Sequence, residues 1–421
     1  MWIRMIMVAG AMALGLSVGW YVMAQNGAAL PDFAPGQILT AEDLNTIVDQ
    51  VANNQAALSG AASGDPLLVD CDAGDSLAQA VQGVSPGRTI QVSGACSGRV
   101  MVTTDRLTLD GQGTAVLDGG GANGSVGPDF EGVLTVNGAR DVTITGFTFQ
   151  NSEVDGLVAS RGAVLTISNI TVQNSTRSGL VLSSNVVADL SNITTQDNGG
   201  AGIFVTDGAR VIFRGMITST GNNQASLGPG IGIVEGATAR LHGAMLQANN
   251  NLGDGVGITT NGVLSGAGSN SITSNNNGRH GILLSNGWME IEPGATINVV
   301  GHATGSGIFA IGNGTVVNVP SEAGEGAAYL LENNAVGLNL DVQGAAFFIG
   351  GLTVRNNDFG ILASGANTLT VVSIPPNPSN LSGNTSDVDL SFGTRSTFDG
   401  VPIDTITCDA TVLSRGSTIC P

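Results

Sequence analysis

From residue 132 onward, apolar and polar residues alternate with a period of two, in short runs broken by glycine and asparagine. That is the period of a strand, in which successive side chains point to opposite faces. The runs also recur as blocks. Residues 132–155 read GVLTVNGARDVTITGFTFQNSEVD, and the next two blocks read GLVASRGAVLTISNITVQNSTRS and GLVLSSNVVADLSNITTQDNGGA. Later blocks open at Gly202, Gly230, Gly255, Gly281, Gly307, Gly337 and Gly360, at spacings of 23–30 residues. Self-similarity at that period marks a solenoid whose coils bury a common core by stacking. With about three short strands in each block, the pattern predicts an all-β parallel β-helix of about ten coils.

Aligned on the block glycine, the first position reads Leu157, Leu180, Ile203, Ile231, Val256, Ile282, Ile308, Leu338 and Ile361. The third reads Ala159, Leu182, Val205, Ile233, Ile258, Leu284, Ala310, Leu340 and Ala363. Both columns are aliphatic and are expected to fill the interior. The second and fourth positions then face outward. They carry an apolar stripe of Val158, Val181, Phe204, Leu283, Phe309 and Leu362, with one carboxylate, Asp341. An exposed stripe of that extent points to a contact surface, either between copies of the chain or under a loop or helix of the same chain. Asn151, Asn174, Asn250, Asn276, Asn333 and Asn356 recur shortly before the block glycines. Stacked from coil to coil, they are expected to hold tight turns and to bond one another as a ladder.

Upstream the pattern changes. MWIRMIMVAGAMALGLSVGWYVMAQ sets Arg4 before a long apolar run, with Val22 and Ala24 at small-residue cleavage positions, so residues 1–24 read as a signal peptide. Uncleaved, the run is long enough to anchor the chain in a membrane. Residues 25–58 read as a short N-terminal α-helix, a neck or a cap. Thr40 is its N-cap, and Leu44, Ile47, Val51 and Leu58 form a heptad seam with Asn54 at a polar core position. The pattern F..G..LTA.DLN resembles neck segments that precede elongated domains in secreted and phage-fibre proteins, and that resemblance implies a homo-oligomer, often a trimer. Residues 59–66, SGAASGDP, form a small-residue linker.

Composition narrows the function. Sixty-three glycines, 11% charged and 42% hydrophobic residues suit many short strands rather than disorder or long helices. With 33 acidic against 14 basic residues the net charge is −19, which excludes a phosphate backbone as partner. A polyanionic polysaccharide is repelled on average unless calcium or a local basic strip intervenes. The four cysteines fit an oxidising compartment, Cys71 with Cys96 bracketing one short segment and Cys408 with Cys420 bracketing the last residues. Without a CxxC or His/Cys cluster no metal site is expected, and no cofactor apart from calcium at turn aspartates.

The segments GDSLAQAV, PGRTIQVSGAC and TLDGQG, followed by the repeated GI coils, resemble the right-handed parallel β-helix proteins of the pectin-lyase-like superfamily over residues 67–395. That resemblance implies a right-handed solenoid, and residues 396–421 beyond it read as a C-terminal cap with a disulfide loop. The resemblance does not choose an activity, because the superfamily holds lyases, hydrolases, epimerases, tailspikes, adhesins and scaffolds. The NTD, DD, GHG and RIK series of polygalacturonases and the DPHE segment of alginate epimerases are missing here.

One group of side chains still permits chemistry. With Ile167, Leu190, Phe213, Leu241 and Ile291 inward, the outward neighbours on the second strand of the coils include Asp189, Arg214, Arg240, His242, Glu290 and Glu292. An Arg, His and Glu set can hold a sugar carboxylate and move a proton, as β-elimination or C5 epimerisation of a uronic acid requires. The plainer reading is a solvated face with cross-strand ion pairs. His280, in NNGRHG, stands where other coils carry Asp155, Ser178 or Phe359, so the fold does not demand it. The expected role is an exported non-catalytic scaffold or adhesin, secreted or at the cell surface, that binds glycan and self-associates; the alternative is a polysaccharide lyase or C5-epimerase.

Overall fold

The computed structural model describes residues 65–120, 131–223, 228–318, 327–373, 378–408 and 412–416. The chain divides into two units, residues 1–66 with 87–89 and the remainder. Of the first, 65–66 and 87–89 are described, and there the Arg88 guanidinium donates to the Asp65 carbonyl at 2.7 Å. The signal segment 1–24, the helical neck 25–58 and residues 59–64 of the linker lie outside the described residues. Among the described residues no helix is long and apolar enough to cross a membrane.

The second unit is a right-handed parallel β-helix, and one coil shows how the sequence makes it. Asp155–Ser160 forms the first face and ends in a turn at Arg161 and Gly162, whose φ values are 57° and 71°. Val164–Gln173 follows and bends at Asn169, φ 53°, so that one long strand supplies the second and third faces. Asn174, φ 55°, then turns the chain back to the first face of the next coil. Each left-handed position carries Asn, Gly or a polar residue, the types that tolerate it best. Coil then stacks on coil in parallel register, as Leu157 on Leu180 on Ile203 and Ile167 on Leu190 on Phe213. Among the described residues thirteen strands form the first face, more than the ten blocks the repeat predicts, because the coils at the two ends lack the block glycine.

Both predicted inner columns of the first face are fully buried in every coil, as are Ile167, Leu190 and Phe213. Each valine, leucine, isoleucine or phenylalanine among them contributes on the order of 1.5–3 kcal/mol by leaving water, and the alanines less. A helix that the repeat pattern does not predict, Leu77–Gly83, packs on strand Val100–Val102. Its N-cap Ser76 accepts from the Gln79 amide, and Leu77 and Val81 are buried. Cys71 and Cys96 are joined, closing the first coils. Cys408 is disulfide-bonded, and Cys420 lies outside the described residues. Coil pairing also runs past residue 395: Arg395–Asp399 pairs with Thr368–Val372, and Leu413–Gly416 pairs with it in turn.

The asparagine ladder forms one residue later than its expected place. Asn151, Asn174, Asn250, Asn276, Asn333 and Asn356 take the left-handed turn position, with φ of 52–56°. The ladder runs through the following residue. Asn198 donates to Asn222 at 2.8 Å, Asn222 to Asn251 at 3.1 Å and Asn251 to Asn277 at 3.0 Å. It continues from Asn334 to Asn357 at 3.2 Å and from Asn357 to Asn384 at 3.0 Å. Turning inward after the left-handed residue is what lets this side chain reach its counterpart one coil away. In the coil between Asn277 and Asn334 the rung is His302, fully buried. Its Nδ1 lies 2.8 Å from Asn334 Oδ1 and its Nε2 lies 3.2 Å from Asn277 Nδ2, so the neutral Nδ1–H tautomer fits both partners.

Candidate functional site

The outward stripe of the first face is in register, yet it is not the exposed patch the alternation suggests. Val158 and Val181 are fully buried, while Phe204, Leu283, Phe309 and Leu362 are half-buried. Alternation reports which side of the strand a residue faces, not what folds over it. Part of the cover is visible. A Cβ at Gly257 would lie 3.0 Å from the Pro229 ring, and one at Gly232 would lie 2.9 Å from Phe204 and 3.1 Å from Pro229. Farther along, the His280 ring packs on Phe309 with centroids 4.7 Å apart. The face also holds a second carboxylate beside Asp341. Asp389 follows Leu362 in the same line, hidden from the block alignment because its coil has Asp387 at the glycine position.

At the corner leading into this face, Asp155, Asp254 and His280 each cap the backbone of the next coil. Asp155 Oδ1 accepts from the Ser178 amide at 2.8 Å, Asp254 Oδ1 from the His280 amide at 3.1 Å, and His280 Nδ1 from the Ser306 amide at 3.0 Å. Arg177 and Arg279 approach the two carboxylates at 3.5 and 3.7 Å. Burial nevertheless raises the pKa of Asp155 and of Asp254, outweighing the half-exposed arginines and the amide bonds. For His280, burial, with help from Arg279 and His302, pushes the imidazole down to about 4. His280 thus stays neutral and accepts. It has structural work, which the variety of residues at its position conceals.

The second face gathers most of the predicted basic residues. Arg214 Nε bridges both oxygens of Asp189, at 3.0 and 2.8 Å. On the next strand Arg240 and His242 point the same way and are exposed. Arg210, which the sequence reading passed over although it shares the outward parity of Arg214, joins them. Among the described residues the side chains of Arg210, Arg240 and His242 have no ion-pair or hydrogen-bond partner. Glu290 does not join them. It shares a line with Arg240 but stands two coils away beyond Ser265, about 10 Å along the axis, and accepts from Trp288 Nε1 at 3.2 Å. Glu292 lies just past that strand and is exposed. Among the described residues no three His, Cys, Asp or Glu side chains gather as a metal site.

On the third face two outward columns run from coil to coil. Thr148, Thr171, Thr194 and Thr218 form one, and Gln150, Gln173, Gln196 and Thr220 the other. The glutamines bond in series, Gln196 to Gln173 at 2.7 Å, Gln173 to Gln150 at 3.0 Å, and Gln150 to Asp118 at 2.7 Å.

The family comparison agrees with the architecture. Residues 131–294 match the family model described as right handed beta helix region. No curated protein sequence matches the chain. Among solved structures, a mannuronan C-5 epimerase A-module of Azotobacter vinelandii is similar at 14% identity and a TM-score of 0.46, covering 80% of this chain and 93% of that one. A family 28 exopolygalacturonase of Yersinia enterocolitica is similar at 14% identity and a TM-score of 0.31, covering 85% and 77%. An α-1,3-glucanase catalytic domain in complex with nigerose is similar at 13% identity and a TM-score of 0.30, covering 85% and 69%.

Proposed function

We propose that the protein is an exported, non-catalytic β-helix scaffold or adhesin whose second face holds an acidic glycan. One observation carries the reading. A chain with 33 acidic and 14 basic residues leaves Arg210, Arg240 and His242 on two adjacent strands, exposed and, among the described residues, unpaired. All 14 basic residues are arginine, whose planar fork fits a carboxylate with two parallel bonds. Such a cluster suits neighbouring carboxylates on one polymer chain laid across the two strands. The Cys71–Cys96 disulfide supports export, since disulfides persist in oxidising compartments.

The placing of the other groups supports binding rather than turnover. General acid–base chemistry needs acid and base within hydrogen-bond reach of one sugar ring. Glu290 is two coils from Arg240, and Arg214 is held by Asp189. The test is to incubate the purified protein with pectate and with alginate. We expect co-sedimentation that Arg210→Ala with Arg240→Ala abolishes, no rise in absorbance from unsaturated product, and an unchanged sugar NMR spectrum. Unsaturated or epimerised product would replace this reading with the lyase or epimerase alternative.

A further inference from the structure

We infer that the third face is a separate binding surface for a single chain of a neutral, linear polysaccharide, lying along the solenoid axis. Among the described residues from Thr148 to Asn298, the outward columns of this face hold no ionisable side chain, in a molecule of net charge −19. Asp118 closes the strip at one end and Glu332 at the other. An uncharged ligand loses nothing to the field of the acidic chain there, whereas a polyanion meets no cation to hold it.

The strip is also ordered in advance. Because Gln196, Gln173 and Gln150 bond in series to Asp118, their amides are held in one orientation before any ligand arrives. After those bonds, each of these glutamines still has one N–H to offer, and its carbonyl a lone pair, at the coil spacing of about 4.8 Å. Fixing them costs less on binding than ordering free glutamines would. On two adjoining coils the strip widens by Met216 and Met245, exposed at 44% and 45%, which offer apolar surface to the C–H faces of sugar rings. At the same coils its edge opens into a recess of about 470 Å³, where Gly221 stands in the column filled elsewhere by Asn174, Asp197 and Asn250.

Shape selects the occupant. Six coil spacings give a length of about 30 Å, and two side-chain columns span about 7 Å. The resulting area, on the order of 200 Å², is far below the roughly 800 Å² per partner that a stable protein interface buries. A second copy of this chain therefore does not fit as partner on this strip alone, and a single polymer chain does.

The experiment is a pull-down of the full mature protein on insoluble cellulose, mannan and amylose. We expect retention on at least one polymer that persists at about 1 M salt, where the screening length is about 3 Å. Thr194→Arg, which sets a long cation across the strip, should abolish that retention, and Arg240→Ala on the second face should preserve it. Gln173→Glu, nearly isosteric, should weaken retention, and it serves in place of Thr194→Arg should that variant fail to show the native circular dichroism. No retention on any of the three polymers overturns the inference, as does retention that both strip variants leave intact. Loss of uronan binding in the Arg210 and Arg240 variants bears on the second face alone, so the two surfaces fail separately.

Discussion

His280, half-buried, and His302, fully buried, are both imidazoles kept neutral by their surroundings, and both join coil to coil. Protonating His280 would turn the acceptor of the Ser306 amide into a second donor, and burial makes that costly. In the unfolded chain a histidine protonates near pH 6.5, whereas in the fold His280 resists down to about 4. The unfolded state therefore binds the proton first. The stability this group contributes is complete above about pH 6.5 and is lost as pH falls toward 4, by at most about 3 kcal/mol. Asp155 and Asp254, with raised pKa values, act in the opposite direction, gaining relative stability as they protonate in the fold. Comparison with His280→Asn cancels them, because they are common to both proteins. Urea unfolding at pH 7 and pH 4.5 should show the wild type losing more stability than the variant across that interval. Equal losses would show that His280 does not titrate as its burial demands.

At the level of elements, the Cys71–Cys96 bond staples the end of strand Leu67–Asp70 to strand Ala95–Ser97, across a sequence separation of 25. Closing a loop of that length contributes about 3 kcal/mol by restricting the unfolded chain. In a solenoid each coil contacts only its neighbours, so the effect should stay near the N-terminal end. Hydrogen exchange of Cys96→Ser should show faster exchange in Leu67–Asp70 and Thr89–Ser93 and unchanged protection in Val164–Gln173. A uniform rise over all coils would mean that the solenoid opens as one unit.

For the whole molecule, the ladder from Asn198 to Asn384 is a line of polar bonds through the stack, and His302 is a central rung. His302→Leu leaves its neighbours short of partners at a cost of about 1–3 kcal/mol. Where stability is a sum over nearest-neighbour interfaces, weakening a central one uncouples the two halves. Urea unfolding should then separate into two transitions, each with a smaller m-value than the wild type, whereas Asn384→Leu near the end should keep one main transition. A single transition with the wild-type m-value in His302→Leu would show that neighbouring interfaces carry the coupling without the ladder.

Parity was legible directly. Ile203, Leu190 and Phe213 could be placed in the core, and Arg214, Arg240 and His242 on a surface, because the side-chain period of two follows from backbone geometry whatever the neighbours are. The block period likewise determined that coils stack in parallel. Three features needed the folded chain. Alternation cannot tell an outward residue from an exposed one, so the burial of Val158 and Val181 was invisible. The ladder slipped by one residue because only the backbone angles separate the turn residue Asn250 from the rung Asn251. Register across coils of unequal length decided that Arg214 reaches Asp189 while Glu290 stands two coils from Arg240. Facing is a property of one strand and is written locally; contact is a property of two, and it exists only once the coils have stacked.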